Sequence, residues 1–311
     1  MMPRSVDAVL AVSTHPERWE AAFRQAMPQA RLHRWPDVPS STDYAFVWKP
    51  PDALFERCRV RRAIFNLGAG VDALMAVSTL PRDVPVIRLE DAGMAIQMAE
   101  YVTLAVLRAF REQDAYAQAQ REARWVQRRR LDKATFVVGV LGLGTLGRAV
   151  AKALRALEFP VIGWSRSAGT VDGVPVASGE DGLHEVLERS RVLVVLLPCT
   201  PHTRGMLDRQ ALSRLPKGAH VVNIARGPLI VENDLLALLD EGHLASATLD
   251  VFDEEPLPPG HRFWHHPRIV ITPHVSAATL VDVSVAQVAQ KVDAIERGET
   301  ASGVVDRQRG Y

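Results

Sequence analysis

The chain has 311 residues, and at about 150 residues per domain this length predicts two domains, each with its own core. Its 37 Lys and Arg are balanced by 36 Asp and Glu, and the resulting net charge of +1 argues against nucleic acid or an anionic membrane as the main partner. Hydrophobic residues at 47% and charged residues at 23% exclude a disordered or fibrous protein.

The two cysteines, Cys58 and Cys199, lie far apart and indicate neither a disulfide framework nor a metal-ligand cluster. They fit a reducing compartment, and no metal is expected. The first apolar run, from Ala8 to Val12, is too short for a membrane span and lacks the layout of a signal peptide. We therefore expect a cytoplasmic protein.

Short β-prone runs alternate with helix-length segments in the first part of the chain, at residues 6–12, 31–33, 44–48, 63–67 and 84–89. This alternation predicts βαβ units around a parallel sheet. A helix that leads out of the first domain is predicted next. Its apolar residues recur at steps of three or four, at Ile96, Ala99, Val102, Val106 and Phe110.

An arginine-rich segment follows, with Arg121, Arg124, Arg128, Arg129 and Arg130. A nucleic-acid patch is one reading of such a segment. A solvated face or loop is favoured, because Trp125 is the one aromatic residue among these arginines and gives no stacking platform.

A second alternation begins at Phe136, with strands predicted at 136–141, 161–164, 192–197, 219–224, 247–251 and 269–271. Six strands with helices between most of them suit a doubly wound Rossmann domain with a parallel sheet. The last predicted helix carries an apolar stripe and ends at Gly298. The stripe consists of Val281, Val285, Val288, Val292 and Ile295.

A glycine-rich turn connects the first of these strands to a helix-forming segment. Gly142 would permit the tight turn, Gly144 would let the backbone approach a pyrophosphate, and Gly147 would allow close packing of helix on strand. The phosphates would bind the positive end of the helix dipole. A tight turn that binds nothing is the alternative, and the strand, helix and second strand around the motif favour dinucleotide binding.

The second strand ends without the acidic residue that binds the ribose hydroxyls of NAD. The chain there reads Ser165-Arg166-Ser167, and a small polar residue followed by Arg can receive a 2′-phosphate. An exposed loop arginine is the alternative. We expect NADPH as the cofactor, with NADH possible but less preferred.

Three polar clusters follow, each at the end of an apolar run, where the active sites of such folds gather. They contain Arg226, then Asp250 and Glu255, then His274. These clusters follow the nucleotide-binding motif in the sequence. Their Arg, carboxylates and His can together bind, polarise and protonate a 2-oxo acid. His265 and His266 precede Pro267 in a loop and are interpreted as non-catalytic.

The order of these motifs resembles the D-isomer-specific 2-hydroxyacid dehydrogenases. The matching stretches are Gly142-x-Gly144-x-x-Gly147, Asn223-Ile-Ala-Arg226-Gly227, Asp250-Val-Phe-x-x-Glu255-Pro256 and Thr272-Pro273-His274, joined by Asn66-Leu-Gly-Ala-Gly-Val-Asp72 and Ala99-Glu100. Three further stretches are more similar to the glyoxylate/hydroxypyruvate reductases of that family. They run from Phe46 to Pro51, from Leu89 to Met94 and from Asp306 to Tyr311.

The resemblance implies a discontinuous layout. A flavodoxin-like substrate domain would take residues 1–97 and 280–311 and enclose a Rossmann NAD(P)-binding domain at 98–279. It also implies a homodimer joined through the nucleotide domains and the long helix near Ile96. Cofactor contacts are expected from Gly142, Gly144, Thr145, Leu146, Gly147, Ser165, Arg166, Ser167, Leu197, Pro198, Ala225 and Asp250.

The activity implied is NADPH-dependent reduction of glyoxylate and hydroxypyruvate to glycolate and D-glycerate. The substrate carboxylate would contact the backbone amides of Ala69 and Gly70, with Arg226 bridging carboxylate and carbonyl oxygen. His274 would protonate the developing alkoxide, and Glu255 would hydrogen-bond its other ring nitrogen and favour the protonated ring.

Two further assignments rest on the same resemblance. Asp250 would contact the nicotinamide amide, with a strand-end cap as the alternative. Trp48 would form a wall of the substrate pocket, although an aromatic residue at a strand end is nearly as often part of the core.

Two other functions are compatible with these motifs. A dinucleotide-sensing interaction protein would use the same fold with little turnover, but the complete set of Arg226, Glu255 and His274 argues against pure binding. A formate dehydrogenase would share the fold, but Glu255 fits protonation of an alkoxide better than a reaction that needs no acid.

Overall fold

The computed structural model describes residues 6–310, which divide into two compact units. The first contains the described residues up to Gly93 and from Thr279 onward, and the second is Met94–Ala278. The sequence-based boundaries follow residues 97 and 279, whereas the units divide after Gly93 and Ala278, because the whole helix that begins at Met94 belongs to the second unit. Residues 1–5 and Tyr311, the end of the C-terminal motif, lie outside the described residues.

The first unit has a parallel sheet in the order β2-β1-β3-β4-β5, which is the strand order of flavodoxin-like folds. Apolar side chains on its central strands, such as Val9, Ala45 and Ile64, are fully buried, as expected of a sheet covered on both faces. The strands are β1 (Asp7–Val12), β2 (Arg31–Arg34), β3 (Ser41–Trp48), β4 (Arg59–Asn66) and β5 (Val86–Arg88).

The second unit has an eight-stranded sheet in the order β13-β12-β11-β10-β6-β7-β9-β8. The strands are β6 (Val138–Leu141), β7 (Val161–Trp164), β8 (Gly169–Val171), β9 (Val174–Ala177), β10 (Val192–Val195), β11 (Ala219–Asn223), β12 (Leu244–Leu249) and β13 (Ile269–Ile271). The strand order reverses between β6 and β10, as it does at the switch point of a Rossmann fold.

Two of these eight strands were not among the six predicted. β8 and β9 form an antiparallel hairpin with Gly173 in its turn at a φ of +76°. Each strand is short and carries little apolar periodicity, so the pattern that reveals the inner strands is absent here. β9 runs parallel to β7 and lengthens the sheet beyond the loop that contains Arg166.

Ten α-helices are assigned within residues 6–310: α1 (Pro16–Ala26), α2 (Ala53–Arg57), α3 (Asp72–Met75), α4 (Met94–Phe110), α5 (Gln113–Arg121), α6 (Thr145–Ala156), α7 (Gly179–Arg189), α8 (Arg209–Ser213), α9 (Glu232–Asp240) and α10 (Val281–Glu296). None of the helices in this part of the chain has the length and apolar character needed to cross a membrane. The arginine-rich segment that follows α5 is an exposed loop, in which Arg128 pairs with Glu112.

The apolar stripe predicted for α4 needs one correction. Ala99, Val102, Val106 and Phe110 are buried, but Ile96 is 62% exposed. At about 100° per residue, Ile96 lies roughly 120° around the helix from Val102 and so falls outside the buried face. The stripe of α10 is buried at Val281, Val285, Val288 and Val292, with Ile295 half-buried.

Candidate functional site

The glycine-rich turn lies between β6 and α6. Gly142 has a φ of +102°, and a Cβ there would lie 2.6 Å from the Leu196 carbonyl oxygen. A Cβ on Gly147 would lie 1.9 Å from the Gly142 carbonyl oxygen, whereas a Cβ on Gly144 would meet no atom within 4 Å. The first and third glycines are therefore needed for the turn itself, and the second borders open space.

That open space is at the N-terminal end of α6. Gly144 and Thr145 are exposed, and Leu146 and Gly147 complete the first turn of the helix. The first amides of a helix lack partners within the helix and lie at the positive end of its dipole. The turn therefore fits the pyrophosphate of a dinucleotide.

The loop after β7 begins with Ser165-Arg166-Ser167 and contains no acidic residue at these three positions. The Ser165 backbone N–H donates to the Ala177 carbonyl oxygen at 3.0 Å, and its hydroxyl donates to the Ser167 carbonyl oxygen at 2.9 Å. Arg166 is exposed beside them. A loop fixed by β9, with a cation and without a carboxylate, fits a 2′-phosphate.

Two further cofactor candidates follow β10. Leu197 is buried, and Pro198 is half-buried with its carbonyl oxygen accepting a hydrogen bond from the Thr203 hydroxyl at 2.7 Å. That hydroxyl also accepts from the Thr200 backbone N–H at 2.8 Å. The loop after this strand is therefore fixed by its own threonines.

Asn223, at the end of β11, organises the loop that carries Arg226. Its side chain is almost fully buried, accepts a hydrogen bond from the Ala225 N–H at 3.1 Å and donates to the Arg226 carbonyl oxygen at 2.9 Å. The Arg226 guanidinium donates to the Ala225 carbonyl oxygen at 2.7 Å. A Cβ on Gly227 would lie 1.9 Å from the backbone of Phe252, so glycine is required where this loop meets the next one.

His274 and Glu255 form a hydrogen-bonded pair. Glu255 Oε2 lies 2.8 Å from His274 Nδ1, and Glu255 Oε1 accepts from the Phe252 N–H at 3.1 Å. The two side chains are 46% and 34% exposed, and His274 Nε2 contacts no hydrogen-bond partner among residues 6–310. The carboxylate thus fixes the ring through Nδ1 and leaves Nε2 available to a substrate.

Asp250 is fully buried, and its carboxylate accepts hydrogen bonds from the Thr272 hydroxyl and from the backbone N–H groups of Val275 and Ser276. These hydrogen bonds give Asp250 the role of a strand-end cap, which is the alternative to contact with the nicotinamide. Contact with a nicotinamide amide stays a prediction. No sequence motif includes Tyr101, whose hydroxyl forms a hydrogen bond with that of Thr272.

The first unit contains a separate cluster around the loop 68–70. Asn66, which is 2% exposed, donates through Nδ2 to the carbonyl oxygens of Gly68 and Gly70, each at 2.9 Å. Within residues 6–310 no group accepts a hydrogen bond from the backbone N–H of Ala69 or Gly70. Two free amides on a fixed loop can bind a carboxylate.

Trp48 packs directly on this loop. A Cβ on Gly68 would lie 2.2 Å from Trp48 Cζ3, so only glycine permits the indole to lie where it does. The indole is half-buried, which fits both a pocket wall and a core role. The structure therefore gathers the predicted residues into two groups, with Trp48, Ala69 and Gly70 in the first unit and Arg226, Glu255 and His274 in the second.

Known proteins are similar to nearly the whole chain. Residues 103–276 match the family model described as D-isomer specific 2-hydroxyacid dehydrogenase, NAD binding domain. The glyoxylate/hydroxypyruvate reductase A of Serratia proteamaculans is 44% identical over 301 residues, which cover 95% of this chain and 96% of that protein. That of Photorhabdus laumondii is 43% identical over 300 residues, 94% of this chain and 96% of the relative.

Solved structures match equally well. A D-isomer specific 2-hydroxyacid dehydrogenase from Xanthobacter autotrophicus Py2, in complex with NADPH and MES, aligns with a TM-score of 0.94 at 40% identity, covering 99% of this chain and 100% of that one. The NADPH-dependent glyoxylate/hydroxypyruvate reductase from Sinorhizobium meliloti, in complex with NADP and sulfate, aligns at 0.93 and 35%, with the same coverage. These likenesses confirm the fold class predicted from the sequence.

Proposed function

The chain belongs to the D-isomer specific 2-hydroxyacid dehydrogenase family, and from this premise we propose that it reduces glyoxylate and hydroxypyruvate with NADPH to glycolate and D-glycerate. The observation that carries the proposal is the His274–Glu255 pair with Nε2 of the ring left available, in the same unit as Arg226. An acid and a fork-shaped cation are what reduction of a 2-oxo acid needs from the protein.

Backbone amides and one charged side chain bind the substrate in this proposal. We propose that the backbone N–H groups of Ala69 and Gly70 hydrogen-bond the substrate carboxylate, because among residues 6–310 they have no other acceptor. Arg226 contacts both the carboxylate and the carbonyl oxygen, since its planar guanidinium offers several donors at once. Trp48 limits the size of the group beyond the carbonyl carbon.

The chemical step divides between cofactor and protein. NADPH, when bound, supplies the hydride for the carbonyl carbon. Arg226 stabilises the negative charge that develops on the oxygen, and His274 Nε2 delivers the proton to it. Glu255 holds the ring through Nδ1, so the proton is presented from a fixed position.

The preference for NADPH rests on two observations. The loop of Ser165, Arg166 and Ser167 offers a cation and hydroxyls without a carboxylate that would repel a phosphate. Two solved relatives that align over nearly the whole chain contain NADPH or NADP. NADH is accepted less well, because Arg166 then has no phosphate to contact.

We also propose that the enzyme is a homodimer joined through α4. Ile96 and Leu104 are 62% and 69% exposed on this helix, and Trp125 in the loop after α5 is fully exposed. We propose that the partner subunit covers these side chains, because exposed apolar patches mark protein–protein interaction sites. Leu104→Glu should therefore shift the sedimentation coefficient from dimer to monomer, and a wild-type chain that sediments as a monomer at micromolar concentration would contradict the proposal. We also propose a cytoplasmic location, because Cys58 and Cys199 lie far apart in sequence and form no disulfide framework.

A panel of 2-oxo acids with each reduced cofactor tests the proposed activity. Glyoxylate and hydroxypyruvate should give the highest kcat/KM with NADPH, and one NADPH should be consumed for each glycolate formed. Tight NADPH binding without turnover on any member of the panel would instead support a dinucleotide-sensing interaction protein.

A further inference from the structure

Three side chains of the second unit form a continuous hydrogen-bond chain that ends beside His274. Tyr101 lies on α4, Thr272 follows β13, and Asp250 follows β12. The Tyr101 Oη is 2.5 Å from Thr272 Oγ1, and Thr272 Oγ1 is 2.6 Å from Asp250 Oδ1. A helix is thereby connected to the loop that carries the candidate acid.

The direction of these bonds follows from the number of protons available. A threonine hydroxyl has one proton, and Thr272 donates it to the Asp250 carboxylate. Tyr101 must then be the donor to Thr272. Burial, the largest cause, raises the pKa of Tyr101, so its hydroxyl keeps its proton over the pH range of an enzyme assay.

Asp250 in turn holds the backbone on both sides of His274. Its carbonyl oxygen accepts from the His274 N–H at 2.9 Å, and its carboxylate accepts from the N–H groups of Val275 and Ser276, each at 2.8 Å. His274 has a φ of +54°, in the left-handed region that residues other than glycine rarely adopt. Such a conformation persists only where surrounding bonds determine it.

We infer that Tyr101 and Thr272 are positioning residues for His274, acting through Asp250, a role that rests on the proposed function and deepens it. Neither side chain hydrogen-bonds the His274 imidazole, which bonds Glu255. Their hydrogen bonds hold the Asp250 carboxylate in place, and that carboxylate holds the backbone at residues 275 and 276. The position of this backbone sets the orientation of the His274 ring. The position of Tyr101 is fixed, because its neighbours on α4, Val102 and Val106, are fully buried.

Three variants test the inference by steady-state kinetics with glyoxylate and NADPH. Tyr101→Phe and Thr272→Val each remove one hydroxyl and little else, and kcat should fall about tenfold for the first and up to about a hundredfold for the second, because a catalytic group displaced by about 1 Å can lose that much rate. The KM for glyoxylate and the Kd for NADPH should change less than about twofold. Thr272→Ser keeps the hydroxyl and should restore kcat to within about threefold of wild type.

Thr103→Val is the matched control on the same helix. The Thr103 hydroxyl is buried and has no hydrogen-bond partner among the described residues, so its removal should leave kcat unchanged and should not lower the Tm. This variant separates the effect of breaking the hydrogen-bond chain from the effect of removing any hydroxyl from α4.

Two results would overturn the inference. One is a kcat within twofold of wild type for both Tyr101→Phe and Thr272→Val. The other is a fall in kcat that parallels a loss of folded protein, which would make the role merely structural, or a loss of NADPH affinity, which would assign the hydrogen-bond chain to the predicted nicotinamide contact of Asp250 and not to His274. His274→Ala tests the proposed function separately, because wild-type kcat in that variant would refute the acid itself whatever Tyr101 and Thr272 do.

Discussion

Each unit contains a strand that ends in a buried asparagine and is followed by a loop that contains residues proposed to bind the substrate. β4 ends at Asn66, which bonds the carbonyl oxygens of Gly68 and Gly70, and β11 ends at Asn223, which bonds the carbonyl oxygen of Arg226. Both side chains are at most 2% exposed. The same device therefore fixes both loops from the interior.

The loops differ in what they present. The first offers uncharged backbone amides at Ala69 and Gly70, while the second carries Arg226, and its unit also provides Glu255 and His274. Backbone amides can bind a carboxylate but cannot transfer a proton, whereas ionisable side chains can. We infer that the first unit contributes recognition and the second contributes the chemistry.

The largest expected effect comes from the acid of the second unit. His274→Ala should lower kcat by about 10²–10⁴-fold, the usual contribution of general acid catalysis. NADPH affinity, measured by fluorescence titration, should stay close to wild type, since the imidazole Nδ1 bonds Glu255 rather than the cofactor loops. Near-wild-type kcat at saturating glyoxylate would show that His274 is not the general acid.

Arg226 provides the next largest effect. Arg226→Lys should lower kcat/KM for glyoxylate on the order of 10²-fold, nearly as much as Arg226→Ala, because a point ammonium cannot contact a carboxylate and a carbonyl oxygen as a planar fork does. Arg297→Lys, at an exposed arginine that pairs with Glu299, is the control and should have no effect. A Lys variant with wild-type kcat/KM would show that Arg226 does not bind the substrate.

Cofactor preference should change by a similar or smaller factor. A hydrogen bond to a charged group contributes on the order of 1.5–3 kcal/mol, so wild type should prefer NADPH over NADH by roughly tenfold to a hundredfold in kcat/KM. The double variant Ser165→Asp with Arg166→Ala should erase or reverse this ratio, measured at fixed salt because exposed charges are screened. Equal use of both cofactors by wild type would refute the role of Arg166.

The smallest effect is expected in the first unit. Asn66→Ala leaves the Gly68 and Gly70 carbonyl oxygens without their donor and loosens the amides, so KM for glyoxylate should rise about tenfold with little change in kcat. Asn233→Ala, at an exposed asparagine of α9, should leave both constants unchanged. An Asn66 variant with normal KM and a reduced kcat would contradict recognition as its role.

Much of the architecture could be predicted from the sequence because buried parallel strands consist of short apolar runs. β7 and β13 have the predicted limits, and the glycine motif lies between strand and helix as expected. The hairpin of β8 and β9 could not be predicted, since it lies at the sheet edge and has little apolar pattern. The exposure of Ile96 was also missed, because its spacing fits a helical stripe only approximately.

The sequence predicts candidate site residues where a side chain has distinctive chemistry. Arg226, Glu255 and His274 follow strands in a recognisable order, and the Glu255–His274 hydrogen bond agrees with the pairing expected for them. Asn66, Thr272 and Tyr101 were not predicted as site residues, because their roles depend on which backbone groups the fold brings near them. Asp250 shows the same limit, since its motif could not reveal that its carboxylate bonds Thr272, Val275 and Ser276.

The division between recognition and chemistry is tested most directly by one single-turnover experiment. His274→Ala and Asn66→Ala, each loaded with NADPH, are mixed with rising glyoxylate, and NADPH oxidation is followed. The rate of the Asn66 variant should reach nearly the wild-type plateau at high glyoxylate, whereas that of the His274 variant should stay about 10²–10⁴-fold lower at every concentration. A His274 variant that excess glyoxylate restores to the wild-type rate would show that His274 contributes to binding and not to the chemistry.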